Sequence, residues 1–393
     1  MGHVLLAPDK FKGSLTAVEV VRHLTAGLRR AAPDIEVRGF PVADGGDGTL
    51  DAAVSAGFRR VPVTVAGPTG APVKTAFGYA DGVAVVELAD ACGLRRLPSG
   101  VPAPLRASSH GAGEVIRAAL EHGCPEVVLG LGGSASTDGG AGLVAALGVR
   151  LLDERGAELP PGGAALRRLR RVDLAGLHPA VRRTRFVVAG DVDSPLLGPT
   201  GAAAVYGPQK GATDDDVLLL EAGLTRWADL AETAVRDADL LGPDGSGPGR
   251  PVSVWPGAGA AGGVGFAALA FLGARFRPGI ELLLDLLGFP QAVAGADLVV
   301  TGEGSLDAQS LRGKAPVGVA GAAARAGVPT VAVAGQVGVG PDELRHAGIR
   351  AAYPLTDLEP DPVACQERAA ELVEKVAQTL AADWLDPAGD SSR

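Results

Sequence analysis

The run Gly130–Gly140, GLGGSASTDGG, follows the apolar stretch Val127–Leu129 with five glycines, three small hydroxyl residues and one carboxylate. Glycine permits backbone conformations that a Cβ forbids, so successive N–H groups can converge on an anion, and Ser134, Ser136 and Thr137 add short donors. A helix starting near Ala141 would bring its positive end to the same place. Such a loop suits a phosphate, yet a tight structural turn uses glycine too.

Lysines and carboxylates extend the pattern. Of 36 basic residues only six are lysine, at positions 10, 12, 74, 210, 314 and 375. Lys12, Lys210 and Lys314 touch a glycine, in FKGS, QKGA and RGKAP, where a compact ammonium on a flexible stem can reach a phosphate that a planar guanidinium would meet differently. Asp9, Asp44, Asp47, Asp138, Asp191, Glu303 and Asp307 all stand in glycine or proline surroundings at expected strand ends. Phosphoryl transfer needs a metal held by one or two carboxylates, donors on the moving group, and a base near the attacking hydroxyl. These residue types supply each part. A single Asp in a turn more often closes an Asx-turn or caps a helix, so convergence must separate the two roles.

The elements that must position these groups repeat one pattern. HVLLAPD reads as a buried strand entering a turn at Pro8 and Asp9, followed by a helix in which Thr16 and Glu19 form a capping box and Ala17, Val20, Val21, Leu24 and Leu28 share a face. EVRGFPVADGGDGT repeats strand, glycine turn and helix, the last from about Thr49. The pattern recurs at EVVLGLGGSAS, ADLVVTGEGSLD and PTVAVAGQVG, beside alanine-rich helices at Gly113–His122 and Val317–Ala326, and IRAAYPL adds a strand. Such units predict a parallel sheet whose ligands gather at strand C-termini. Arg59–Leu88 alternates polar and apolar, as antiparallel strands do, while Leu241–Pro251 reads as a linker and the tail from Asp386 as frayed.

The expected fold is therefore α/β, with two α/β domains and a cleft between them. A Rossmann-like parallel-sheet domain, discontinuous in sequence, takes residues 1–62, 106–148 and 288–393, and an inserted mixed-sheet domain takes 63–105 and 149–287. The length of 393 residues with 47% hydrophobic content agrees with two domains.

Composition excludes several functions. A net charge of −9 argues against nucleic acid or an acidic membrane as partner. Cys92, Cys124 and Cys365 are odd in number and lack C-x-x-C spacing, which points to a reducing cytoplasm rather than a disulfide framework or zinc. MGHVLLAPDK reaches a charge before a signal-peptide core could form. The uncharged stretch Val254–Ala274 is broken by Pro256 and six glycines, leaving FAALAFL, too short to span a bilayer. Gly257, Gly259 and Gly262 satisfy G-x-G-x-x-G with Glu281 downstream, but the preceding PVSVWP ends in proline far from a first βα turn, which argues against a nicotinamide dinucleotide. A P-loop fails because Ala315 follows Gly313 and Lys314, and Ala308 stands where the first glycine belongs.

Six blocks, APDKFKGSLTA, ADGGDGT, GLGGSASTDGGAG, YGPQKGAT, GAGAAGGVG and TGEGSLDAQSLRGKAPVGVA, together resemble the bacterial glycerate kinase family, in order from Ala7 to about Ala334. The resemblance implies ATP-dependent phosphorylation of D-glycerate with Mg²⁺ on a two-domain α/β architecture, and it favours 2-phosphoglycerate as product. Thr137 and Ser194 stand where Asn is usual, and Ser305 where Arg is common; Lys12, Asp44, Asp191, Glu303, Asp307 and Lys314 keep the pattern.

On this reading Lys12 and Lys314 stabilise the transferring phosphoryl group, Asp191 is the base with Asp44 as rival, and Glu303 and Asp307 hold Mg²⁺. Ser14, Gly132, Gly133, Ser134, Ser136 and Lys210 serve phosphate or substrate, and Arg312 or backbone donors meet the glycerate carboxylate. Partners are D-glycerate but neither nucleic acid nor membrane; a homodimer is compatible with the reading. GLGGSAS also resembles the phosphate loop of the GHMP small-molecule kinases, which the other five blocks do not fit. A non-catalytic sensor with a kinase-like cleft is the remaining alternative, and the intact lysines and carboxylates argue against it.

Overall fold

Residues 2–240 and 250–385 are described by the computed structural model. The expected linker lies outside them except for Arg250 and Pro251, and the expected frayed tail from Asp386 lies wholly outside. The strands in chain order are β1 (His3–Pro8), β2 (Val37–Gly39), β3 (Arg59–Ala66), β4 (Pro72–Ala80), β5 (Val83–Glu87), β6 (Glu126–Gly130), β7 (Arg150–Leu152), β8 (Arg171–Asp173), β9 (Arg185–Ala189), β10 (Arg275–Arg277), β11 (Ala296–Leu306), β12 (Thr330–Val337) and β13 (Ile349–Pro354). Contacts divide the chain into two units. One comprises Met1–Asp44, Asp51–Ala56 and Pro278–Arg393, the other Gly45–Leu50 and Gly57–Arg277.

The first unit is built on a five-stranded sheet of order β13-β12-β11-β1-β2, parallel throughout. β1 and the adjoining stretches of β11 and β12 are apolar because helices cover both faces. Val4 and Leu6 of β1 pack with Val20, Leu24 and Leu28 of the Ala17–Ala31 helix and with Leu372, Val376 and Leu380 of the Ala369–Trp384 helix. Leu306, Ala332 and Ala334 meet Ala320 and Leu344 in a separate cluster. The capping box forms as expected, with Glu19 N donating to Thr16 Oγ1 at 3.3 Å and Thr16 N donating to Glu19 Oε2 at 2.9 Å.

Sheet order reverses between β1 and β11. From β1 the chain runs through the Ala17–Ala31 helix to β2 on one side, and from β11 through the Ala315–Arg325 helix to β12 on the other. Such a switch point opens a crevice at the strand C-termini, here beyond the register pair Pro8 and Gly302.

The second unit holds a six-stranded sheet of order β10-β9-β6-β5-β4-β3. β3, β4 and β5 are antiparallel, as the alternation of Arg59–Leu88 predicts, whereas β5, β6, β9 and β10 run parallel. Glu87, Gly130, Ala189 and Arg277 share one register row at the parallel strand ends. Beneath lies a core that includes Trp227, stacked on Phe271 at 5.4 Å and edge-on to Phe266 at 6.1 Å. β7 and β8 form a small antiparallel ribbon.

Two expectations need correction. Residues 106–148 belong with the second unit, because β6 pairs with β5 and β9 rather than with β1 or β11. A doubly buried parallel strand looks the same in either sheet, so apolar pattern gives its environment but not its neighbours. The first unit's other limits also shift: Gly45–Leu50 and residues 57–62 group with the second unit, and the first unit begins again at Pro278 rather than at 288. The stretch Val254–Ala274 contains a helix, Ala260–Leu272, and among the described residues no helix is long and apolar enough to cross a membrane.

A Cβ at Gly302 would lie 2.1 Å from the Val333 carbonyl oxygen, so β11 and β12 can pair at their present spacing only because it is absent. Gly302→Ala should lower the free energy of unfolding by ~2 kcal/mol or more, as overpacking against backbone does. Gly321→Ala, in the interior of the Ala315–Arg325 helix with nothing nearer than Arg325 Nη1 at 3.9 Å, should be neutral or stabilise by up to ~1 kcal/mol. Urea unfolding of both variants checks the pair, and equal effects would contradict the packing argument.

Candidate active site

Each unit carries its own group of loops at the C-terminal ends of its parallel strands. In the second unit Glu87, Gly130 and Ala189 end at one level, so the loops that follow start together. A Cβ at Gly130 would lie 2.6 Å from Gly45 O, one at Gly45 2.5 Å from Ala189 O, and one at Gly132 2.4 Å from Gly46 Cα. Gly132 N donates to Gly45 O at 3.3 Å. The glycines of ADGGDGT and GLGG therefore let two loops lie backbone against backbone over the strand ends. The same reason explains GAGAAGG: Gly139 N donates to Gly262 O at 2.9 Å, and a Cβ at Gly262 would stand 2.0 Å from Ser136 O. The G-x-G-x-x-G spacing is a packing device, not a dinucleotide turn.

The Gly130–Gly140 loop is held from beneath. Asp138 is buried, and its Oδ2 accepts from Ser109 N at 2.8 Å, Ser109 Oγ at 3.0 Å and Ser108 Oγ at 3.2 Å, while Oδ1 accepts from Gly140 N at 3.2 Å. Trp227 Nε1 donates to Gly139 O at 2.9 Å. Lys210 Nζ donates to Ser134 Oγ at 2.8 Å and to Ser136 O at 2.5 Å. Lys210 is 3% exposed, which differs from its expected reach toward a ligand. Burial lowers its pKa to about 7, against the opposing charge of Asp138. Ser134, Ser136 and Thr137 are buried as well, the last two with hydroxyls that have no partner, so the loop's accessible crest is Gly132–Gly133.

Glu87 was not legible in sequence. Its buried carboxylate accepts from Gly48 N at 3.1 Å, Leu50 N at 3.0 Å and Arg95 Nη2 at 2.7 Å, and so fixes the ADGGDGT turn. Burial raises its pKa, with the Leu50 N–H and Arg95 opposing. Asp191 follows β9 on an exposed segment at the same strand-end level.

In the first unit, Asp9 follows β1, Asp44 follows β2, and Glu303 lies in β11 one residue past the switch-point pair. Val42 N donates to Pro8 O at 3.0 Å, which brings the Asp44 segment alongside the end of β1. Asp9 is 6% exposed and its carboxylate accepts from Lys10 N at 2.6 Å. Burial pushes its carboxyl up to about 7, with Lys10 opposing and Asp44 and Glu303 adding to the rise. Burial likewise raises Glu303, against Ser310 and Lys314, and its Oε1 is buried without a partner.

The remaining predicted residues of this unit fall close by, with different tasks. A Cβ at Gly304 would lie 3.1 Å from Lys12 N, so the Lys12 backbone passes over β11, and the Lys12 side chain is exposed. Ser14 Oγ donates to Phe11 O at 3.1 Å and closes that turn. Asp307 Oδ1 accepts from Gln309 N at 2.8 Å and Ser310 N at 3.2 Å, bonds that hold its carboxyl below the usual range. That is the Asx-turn role. Arg312 lies in the Ser310–Arg312 turn that follows, and Lys314 caps the Ala315–Arg325 helix. Among the described residues no three His, Cys, Asp or Glu side chains are grouped to hold a metal ion by themselves.

The chain matches the glycerate kinase family over residues 4–385. It is 40% identical to a glycerate kinase of Halalkalibacterium halodurans over 97% of this chain and 98% of that protein. It is 41% identical to one of Bacillus subtilis over 96% and 97% of the two chains, and 39% identical to a glycerate 2-kinase of Escherichia coli over 89% of each. A crystal structure of a glycerate kinase 2 from Salmonella typhimurium LT2 is similar with a TM-score of 0.78 and 39% identity, covering 97% of this chain and 98% of that one.

The folded chain holds the Asp9 proton more tightly than an unfolded chain, whose Asp titrates near 3.8. This contributes stability that is complete below that value and is lost as pH rises through about 7. Asp9→Asn keeps an oxygen for Lys10 N and removes the titration. It should flatten the fall in unfolding free energy across that window, a fall of ~4 kcal/mol at most. Urea unfolding at the two ends of the window tests this, and parallel pH profiles of wild type and variant would refute it.

Proposed function

The chain belongs to the glycerate kinase family, and from that premise we propose that it transfers the terminal phosphoryl group of ATP to the 2-hydroxyl of D-glycerate, releasing ADP and 2-phosphoglycerate. The observation that carries the reading is where the recognised blocks fall. The lysines and carboxylates they keep stand at parallel strand C-termini or in the turns that follow, where α/β sheets bind ligands.

The Gly132–Gly133 crest offers backbone to the nucleotide phosphates, with no Cβ to keep them away. Lys12 and Lys314 stabilise charge on the transferring group, and Arg312 meets the glycerate carboxylate. Asp191 accepts the proton of the attacking hydroxyl, with Asp44 as rival. Mg²⁺ bound with the nucleotide would neutralise phosphate charge. Glu303 fits it best, since its buried Oε1 has no other partner, and a phosphate-bound Mg²⁺ needs only one or two protein carboxylates. Asp307 fits less well, because Oδ1 serves its own turn and Oδ2 accepts from Ser305 Oγ at 3.5 Å. The buried free thiols Cys92, Cys124 and Cys365 agree with a cytoplasmic setting.

Phosphorus NMR after incubation with MgATP and D-glycerate tests activity and regiochemistry at once. A 2-phosphate couples to the single C2 proton and gives a doublet, whereas a 3-phosphate gives a triplet; no new ester signal would refute the activity. Asp191→Ala should lower kcat by ~10² or more if Asp191 is the base, and near-normal turnover would move that role to Asp44.

A further inference from the structure

A loop with five glycines has little shape of its own, and what fixes it decides what it can bind. Asp138 anchors its C-terminal end to Ser108, Ser109 and Gly140, and Trp227 holds Gly139. The middle of the loop is held by two backbone bonds, Leu94 N to Gly133 O and Ala135 N to Cys92 O, both at 3.0 Å, and by Lys210, whose Nζ donates to Ser134 Oγ at 2.8 Å and to Ser136 O at 2.5 Å. Ser134 immediately follows the Gly132–Gly133 crest, and Ser136 stands two residues further on. The lysine arrives in the short Pro208–Lys210 turn, which ends on Gly211 with φ +89°. A Cβ at Gly262 would stand 2.8 Å from Nζ and 2.0 Å from Ser136 O, so a glycine is required where the lysine and the loop meet. At 3% exposed, the ammonium is enclosed by these groups and does not face solvent.

We infer that Lys210 is a positioning residue: its ammonium clamps residues 134–136 from below and so sets the crest at Gly132–Gly133 for the nucleotide phosphates, without touching them. The charged group that faces it is Asp138, which its own hydrogen bonds hold in place. The inference rests on the kinase reading for its kinetic consequence, though not for the clamp itself.

The experiment pairs hydrogen–deuterium exchange with steady-state kinetics on Lys210→Met. Exchange at residues 130–140 should rise, while that of β1 and β11 in the other unit stays as in wild type. KM for ATP should rise about ten-fold, the scale of one lost charge-assisted hydrogen bond. KM for D-glycerate should be unchanged, and ethylammonium should restore part of the loss in Lys210→Ala. A raised KM for ATP with unaltered loop exchange would overturn the clamp and make Lys210 a direct ligand. Faster loop exchange with unaltered kinetics would overturn its link to binding. Should Lys210→Met fail to fold, Ser134→Ala removes one acceptor and should loosen the same amides by less; no loosening would overturn the clamp. If the wild-type enzyme leaves D-glycerate untouched, the kinase reading fails, and loop exchange together with calorimetric titration of ATP still judges the clamp.

Discussion

Backbone lying directly on backbone at the strand ends is the constraint on which the rest depends. In the second unit Gly45, Gly130, Gly132 and Ala189 come so close that any Cβ added at the three glycines would fall within 2.6 Å of a neighbouring backbone atom. In the first unit Gly302 approaches Val333, and Gly335 would place a Cβ 2.4 Å from Gly304 O. A parallel sheet fixes the level at which its strands end, and the missing side chains let the following loops settle onto that level. Polar groups in those loops are thereby buried without a wall of side chains between them and whatever arrives at the strand ends. That combination, exposed backbone above and buried charge below, is what an anion-handling site requires.

Burial then sorts the charged groups by whether their hydrogen bonds are complete. Asp138 and Asp307 have theirs filled by N–H and hydroxyl donors of adjacent turns, and both act as fasteners. Glu87 does the same for the turn that opens the Thr49–Ser55 helix. Glu303 differs, with a buried oxygen that nothing satisfies, beside Asp9, whose carboxyl burial lifts toward neutrality. An unsatisfied buried carboxylate costs stability unless a ligand completes it. The completed groups thus fix the turns, whereas Glu303 keeps a buried oxygen without a protein partner.

Sequence pattern made the local units legible because each rests on neighbours along the chain. The capping box at Thr16 and Glu19, the strand-turn-helix units and the antiparallel run Arg59–Leu88 all depend on short-range periodicity, and all form. Which sheet β6 joins depends on Val85 and Val187, its register partners far along the chain, and no local signal encodes that choice. Glu87 escaped notice for a related reason: it closes VAVVE with neither glycine nor proline beside it, and its partners at Gly48 and Leu50 come from another loop. Asp9 stood out by position but not by role, since its significance comes from burial next to Glu303. Lys210 stood out by its glycine neighbour, while only the fold shows that it faces inward.

The departures from the family pattern can be read in the same terms. Ser305, expected to depart from the family pattern, has a hydroxyl that accepts from Gln336 Nε2 at 3.1 Å beside the Asp307 turn. Nearby, Lys10 opposes the burial of Asp9 and Lys314 that of Glu303. Ser194 has its hydroxyl 3.1 Å from Tyr206 Oη, a local hydrogen bond across its loop. The two serines thus act locally: Ser194 meets Tyr206 across its loop, and Ser305 links β11 to Gln336 of β12 beside the Asp307 turn.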